Sequence, residues 1–358
     1  MTAAFAPDDP RAHVAGQLRD QARSCTEMGS PLYARILEDA ARDVEAGGPA
    51  WDVLRGHLLP GRGDALALRL MAAVHRLVLA GRAPRLARHY PSAGGTDGVA
   101  GAWDAFREVL ATQADALQPL LLHPCQTNEV GRCAALMWGF LEVAAVAARP
   151  LRVLEAGASA GLMLRFDRYR YGGGGASWGD PSSPVDLAGL WAEAPAHAGA
   201  DIVVAERRGC DPNPLDPGSE ETRVRLMASV WADQADRFGR LRAALDVAAS
   251  LPATVDAASV DEWLPAQVAR AADGLATVVY HSVMDEYLPA PVRERFHATL
   301  REAATRASFG APFAWLRLEP TTGYRALAVS STTWPGGRER VLAICGAHGA
   351  DVRSATGL

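Results

Sequence analysis

The stretch Val153-Leu154-Glu155-Ala156-Gly157-Ala158-Ser159-Ala160-Gly161-Leu162 decides the fold. Residues 151–155 are an apolar run ending in an acid, which reads as a buried strand, and the small residues after it read as a turn that opens a helix over 162–169. Small side chains in such a turn let the backbone come close to a ligand. The first amides of a helix have no partner of their own and suit a negative group. Glu155, Gly157, Ala158, Ser159 and Gly161 are therefore predicted to bind a cofactor.

The same run also spells Gly157-x-Ser159-x-Gly161, the nucleophile elbow of an α/β-hydrolase, for which Asp256 or Asp285 and His348 could complete a triad. Such an elbow follows several earlier strands, whereas the chain before Pro150 reads as helical. Apolar residues over 10–148 recur at intervals of three and four, with breaks at Gly47-Gly48-Pro49, Pro60-Gly61, 91–98 and 119–124. Segments 64–80 and 103–117 are apolar on one face and charged on the other, so their aromatics and methionines read as core packing.

After Pro150 short apolar runs alternate with helical segments, as a parallel sheet with crossovers requires. Strands are expected at 151–155, 201–206, 253–255, 276–280 and 313–318, with helices at 162–169, 219–249, 261–271 and 291–307. Runs at 325–330 and 341–345, joined by Trp334-Pro335-Gly336-Gly337, close a hairpin, and the Gly-rich insert 171–199 reads as a loop or short hairpin. This order predicts an α/β fold: a class I methyltransferase-like Rossmann sheet with a terminal antiparallel hairpin over 149–358. An all-α lid or substrate domain is expected over 1–148. The cofactor expected is S-adenosylmethionine (SAM) or its product S-adenosylhomocysteine, whose amino-acid carboxylate would meet the turn amides.

In an open α/β sheet ligands lie outside the carboxyl ends of the strands, so the later strand ends supply the other candidates. Asp211 and Asn213 follow the second strand, where an acid can accept hydrogen bonds from both ribose hydroxyls; the alternative is an Asp-Pro turn. Asp256 and Ala257 end the third strand, beside the adenine, or Asp256 caps the next helix. The fourth strand ends in Tyr280-His281-Ser282-Val283-Met284-Asp285-Glu286. Tyr280, His281 and Ser282 are expected to face the crevice, Tyr280 toward substrate and His281 touching both cofactor and acceptor. His281 reads as a general base, imidazole being the side chain that ordinarily changes charge near working pH, with Ser282, Asp285 and Glu286 as catalytic partners. No metal site is expected, because these ligands lack the rest of a shell. Gln126, Asn128 and Glu129, with Thr127 between them, precede an apolar run over 134–148 and read either as a helix cap or as a wall over the substrate cleft. Trp178-Gly179-Asp180 reads as an ordered loop.

The bulk numbers bound these readings. At 358 residues the chain exceeds one ordinary core, and 49% hydrophobic with 22% charged residues is a globular composition. A net charge of -5 without a basic stripe excludes nucleic acid as the expected partner. All 36 basic residues are arginine, a bias of GC-rich bacterial genomes. Cys25, Cys125, Cys133, Cys210 and Cys345 are scattered, without disulfide or zinc spacing. No leader pattern and no uncharged apolar run of membrane length is read, so a cytoplasmic location is expected, with a small-molecule substrate, no membrane partner, and a homodimer as an allowed assembly.

The motifs Gln126-Thr127-Asn128-Glu129-Val130-Gly131-Arg132, Leu154 to Leu162, Arg207 to Asp216 and Tyr280 to Val283 together resemble an uncharacterised bacterial family of unknown function. The resemblance implies a helical N-terminal half and a SAM-methyltransferase-like C-terminal half. Where the family pattern has Asn and a Trp-Gln pair, this chain has Met163 and Asp285-Glu286, which implies a specialised substrate. The expected function is methyl transfer to a small molecule, in specialised metabolism. The alternatives are a hydrolase using Ser159 and a SAM-fold protein that binds a ligand or catalyses another reaction.

Overall fold

The structure is a computed structural model, and it describes residues 9–58, 65–123, 126, 128–269, 272–321 and 326–355. The expected features at Pro60-Gly61, Asp64, Pro124, Cys125, Thr127, Ala271 and Arg325 lie outside the described residues. The chain divides into two compact units, Met1–Thr127 with Glu220–Gly239, and Asn128–Ser219 with Arg240–Leu358.

The first unit is helical. It holds α1 (Pro10–Glu27), α2 (Pro31–Glu45), α3 (Pro49–Leu54), α4 (Leu66–Leu79), α5 (Pro84–Ala87), α6 (Ala102–Thr112) and α7 (Ala114–Leu121). Proline at the first position of α1, α2, α3 and α5 presets φ where no amide partner is lost, and Asp9 caps α1 by accepting from the Ala12 amide at 3.0 Å. In α2 the residues Leu32, Tyr33, Ile36, Leu37, Ala40, Ala41 and Val44 share one face, and all are buried.

In the second unit α8 (Cys133–Ala147) precedes β1 (Leu151–Ala156). A short 3-10 segment, Leu162–Arg168, follows, then β2 (Arg170–Gly173), β3 (Ala176–Trp178), β4 (Asp186–Trp191) and β5 (Val204–Asp211). The chain next makes α9 (Glu220–Ala228), part of the first unit, and α10 (Ala235–Ser250), within which it re-enters the second. The remaining elements are β6 (Thr254–Ala257), α11 (Val260–Gln267), β7 (Ala276–Ser282), α12 (Ala290–Thr305), β8 (Phe313–Pro320), β9 (Leu327–Trp334), β10 (Arg338–Cys345) and β11 (Arg353–Ser354).

Eight strands form one sheet in the order β11-β10-β9-β8-β7-β1-β5-β6. β6, β5, β1, β7 and β8 are parallel, and β9, β10 and β11 add on antiparallel. The parallel part runs third-second-first-fourth-fifth, the doubly wound order, and the strand order reverses between β1 and β7. The hairpin expected at the end of the chain is β9 and β10.

Several elements differ from the sequence reading. The insert at 171–199 folds as a three-stranded sheet, β3-β2-β4, and Trp191 anchors it by donating to the Ala134 carbonyl at 2.8 Å. The segment expected as one helix over 219–249 breaks at 229–234 into α9 and α10. α8, assigned by sequence to the helical half, groups with the second unit, where it packs on β8, β9 and β10. Val130–Ala147 is the one described helical stretch apolar and long enough to cross a membrane, but 78% of it is buried inside the protein. Its Glu142 is paired with Arg340 at 3.0 Å, as a core helix covering a sheet allows. The described cysteines, Cys25, Cys133, Cys210 and Cys345, are free and buried.

Candidate functional site

Strand alternation sorts the candidate side chains. Glu155 and Tyr280 are register partners on β1 and β7, so they project to the same side of the sheet. On that side Phe140 of α8 meets Tyr280 edge-on at 5.1 Å and stacks on Phe166 at 3.8 Å. Tyr280 donates to Glu155 Oε2 at 3.0 Å, both residues are fully buried, and Glu155 Oε1 has no hydrogen-bond partner among the described residues. Burial pushes the Glu155 carboxyl up to about 8, against the opposing pull of the Tyr280 hydrogen bond and Arg165.

His281 projects to the opposite side, among Phe296 and Trp315. The expectation that Tyr280 and His281 both face one crevice is corrected here: adjacent strand residues point apart. His281 is fully buried; its Nε2 accepts from Trp315 Nε1 at 3.1 Å, which leaves the ring proton on Nδ1, 2.7 Å from Glu319 Oε1. With both nitrogens engaged, the ring holds Glu319 instead of offering a free base. Glu319 Oε1 also accepts from the amides of Met284 at 3.0 Å and Asp285 at 3.3 Å, so this carboxylate fixes the loop after β7. Burial alone would raise the Glu319 carboxyl, but His281 and the two amides bring it below its usual range.

The turn after β1 has Gly157, Ser159 and Gly161 at φ +71°, +52° and +66°, and the loop after β7 has Val283 at +50°. A serine and a valine in the left-handed region, just after the two strands that flank the reversal of strand order, are strain held by their surroundings. A Cβ on Gly157 would come within 2.8 Å of Met284 Cγ, so the two segments touch only because position 157 has no side chain.

The turn amides are occupied from within the protein. Ala158 N donates to the Cys210 carbonyl at 2.9 Å, Ser159 N to Asp211 Oδ2 at 2.9 Å, Gly161 N to the Ala158 carbonyl at 2.6 Å, and Leu162 N to Asn128 Oδ1 at 3.0 Å. The expected cradle of open amides for a carboxylate is therefore filled at these four positions. The polar atoms left over are side-chain ones: Ser159 Oγ, like Glu155 Oε1, is buried without a hydrogen-bond partner among the described residues.

The other candidates fall as follows. Asp211 spans the turn and its own loop, since its Oδ1 accepts from the Asn213 amide at 2.8 Å, while Asn213 itself is exposed. Asp256 is held by Arg208 through two bonds, 2.6 and 2.9 Å, and by Trp263 Nε1 at 2.6 Å, with Ala257 exposed beside it. Asn128 is buried and ties to the turn, and Glu129 accepts from the Gly131 amide, capping the 3-10 turn before α8. Gln126 belongs to the first unit, where it accepts from Arg225 at 3.4 Å. Ser282 lies 3.5 Å from Arg132 Nη1, and Asp285 Oδ1 lies 2.7 Å from His297 Nε2, with Glu286 half-buried next to it. Sequence reasoning missed Glu319, Trp315, His297 and Arg132; Glu319, an acid at the end of an apolar strand, carried the same signal that singled out Glu155.

A family model described as an uncharacterised protein conserved in bacteria, DUF2332, matches residues 15–353. No curated protein matches the chain.

Proposed function

We propose that this chain, which belongs to the uncharacterised bacterial family DUF2332, is a cytoplasmic SAM-dependent methyltransferase acting on a small-molecule acceptor. One observation carries the reading: two buried oxygens without a partner among the described residues, Glu155 Oε1 and Ser159 Oγ, stand at a left-handed glycine turn beside the reversal of strand order in a doubly wound sheet. Those atoms fit the polar amino-acid end of such a cofactor, with Glu155 toward its ammonium group. This assigns the contact to side chains, since the nearby amides are occupied.

The bound cofactor supplies an electrophilic methyl group on sulfur. The chain's own residues position and exclude water: Tyr280 fixes the Glu155 carboxyl, Asp211 holds the turn, and the His281–Glu319 pair holds the loop that carries Met284 and Asp285. His281 is thus a positioning residue, and the Asp285–His297 pair is the group placed to take a proton from an acceptor. Alignment of acceptor and methyl group provides much of the remaining rate. Calorimetry of the full chain with SAM should give saturable heat that Glu155→Gln weakens; no binding at millimolar ligand would sink the proposal.

A hydrolase has one observation in its favour, the left-handed Ser159 inside Gly-x-Ser-x-Gly. Against it, Ser159 Oγ is buried without a partner, and β1 is the first strand among the described residues. A fluorophosphonate that labels wild type and not Ser159→Ala would establish that reading instead.

A further inference from the structure

The two oxygens of the Glu155 carboxyl have unlike surroundings. Oε2 accepts from the Tyr280 hydroxyl at 3.0 Å, and Oε1 has no hydrogen-bond partner among the described residues. Because Tyr280 points its proton at Oε2, the proton of the neutral acid belongs on Oε1, as a buried O–H without an acceptor. The ionised form is no better placed. Glu155 has no exposed surface, and the cation that acts on it, Arg165, is engaged elsewhere: its Nε donates to the Leu251 carbonyl at 3.0 Å and its Nη1 to the Gly161 carbonyl at 2.6 Å. A carboxylate there lacks the paired counter-charge that burial demands.

The charged and titratable groups that act on Glu155 come from every side. β7 brings Tyr280, the 3-10 segment and the residue after it bring Arg165 and Tyr169, β5 brings Cys210 and Asp211, and α8 brings Cys133. Arg165 favours the ionised carboxyl and Asp211 opposes it. Burial pushes the Tyr169 and Tyr280 hydroxyls and the Cys133 and Cys210 thiols up, so near neutral pH they stay uncharged and supply no cation.

We propose that Glu155 sets the specificity of this site by proton exchange: a ligand's ammonium group takes the place of the Oε1 proton, which leaves for solvent. This role rests on the SAM reading above and adds to it the displaced proton. The O–H bond of the acid breaks, an N–H···Oε1 hydrogen bond forms, and the ammonium keeps its own protons, so a neutral acid and a cation become an ion pair and one free proton. A ligand with a neutral end at this position offers no counter-charge, and Glu155 keeps its proton. A carboxylate end would accept from the Oε1 hydroxyl with nothing released. The exchange therefore selects amines and weakens binding as pH falls.

The test is calorimetry of the full chain with SAM at about pH 6.5, where the ligand's α-amino group is charged, in phosphate and in imidazole, buffers of low and high ionisation enthalpy. Wild type should release about one proton per SAM bound, since below about 8 Glu155 holds its proton, and Glu155→Gln should release none. A decarboxylated SAM analogue, which keeps the amine and lacks the carboxylate, should release the same proton. The dissociation constant for SAM should fall about tenfold from about pH 6 to about pH 7 in wild type and stay level in Glu155→Gln. Tyr280→Phe removes the donor that favours the ionised carboxyl, so it should bind SAM more weakly at the same pH while still releasing the proton. SAM that binds wild type without proton release, or with equal affinity across that range, would overturn the exchange and leave the SAM reading standing; no SAM binding at millimolar ligand sinks both. The wild-type proton count decides even if Glu155→Gln does not fold.

Discussion

At position 155 a carboxyl with no exposed surface meets one phenol and leaves its second oxygen without a partner among the described residues. Its proton is held more tightly in the folded protein, to about 8, than in the unfolded chain, near 4.5. The stability linked to that proton is therefore fully present below the unfolded value, and it is lost as pH rises through about 8. At about 1.4 kcal/mol per unit the loss is on the order of 5 kcal/mol. Denaturant titrations of wild type across that window should slope downward, and those of Glu155→Gln should be flat by comparison; equal slopes would remove Glu155 as the cause. That residue 155 closes a buried strand before a glycine turn was legible, because an acid ending an apolar run there is a local pattern. The fate of His281 was not legible, since its partners Glu319 and Trp315 arrive from β8, more than thirty residues later.

At the scale of elements, β5 shows where pattern reading stops short. Its apolar run suggests an end at Glu206, yet the strand continues to Asp211. Arg207 continues it by making two bonds to Asp167, 2.7 and 3.0 Å, and Arg208 does so through Asp256. Gly209 in the same strand faces the turn after β1, where an added Cβ would stand 2.7 Å from Ala158 Cβ and 3.1 Å from the Glu155 carbonyl. Gly209→Ala should therefore displace the turn, costing about 1–3 kcal/mol of stability and weakening the SAM binding proposed for it. Thermal unfolding and calorimetry on that variant check both effects, and unaltered affinity would detach the turn from the proposed site.

At the scale of the whole molecule, the two units are not two consecutive halves. Residues 220–239 leave the second unit in mid-chain and complete the first, where Trp231 and Ala232 enter the helical core. Asp233 accepts from the Ser30 hydroxyl at 2.6 Å and the Leu32 amide at 3.0 Å, capping α2 from two hundred residues away. Asp233→Ala should destabilise the first unit by about 2 kcal/mol, with Asp233→Asn milder, as measured by chemical denaturation. Ser30, just before Pro31, makes no side-chain cap bond of its own to α2. By itself the sequence determined the helical first part, the alternating α/β second part, the glycine turn and its acid, because periodicity and turn chemistry are written within a few residues. Only the tertiary structure decided which side of the sheet His281 and Tyr280 serve, which acceptors fill the turn amides, and where residues 220–239 belong. Those outcomes depend on partners distant in the chain, and local propensity carries no information about which distant groups will meet.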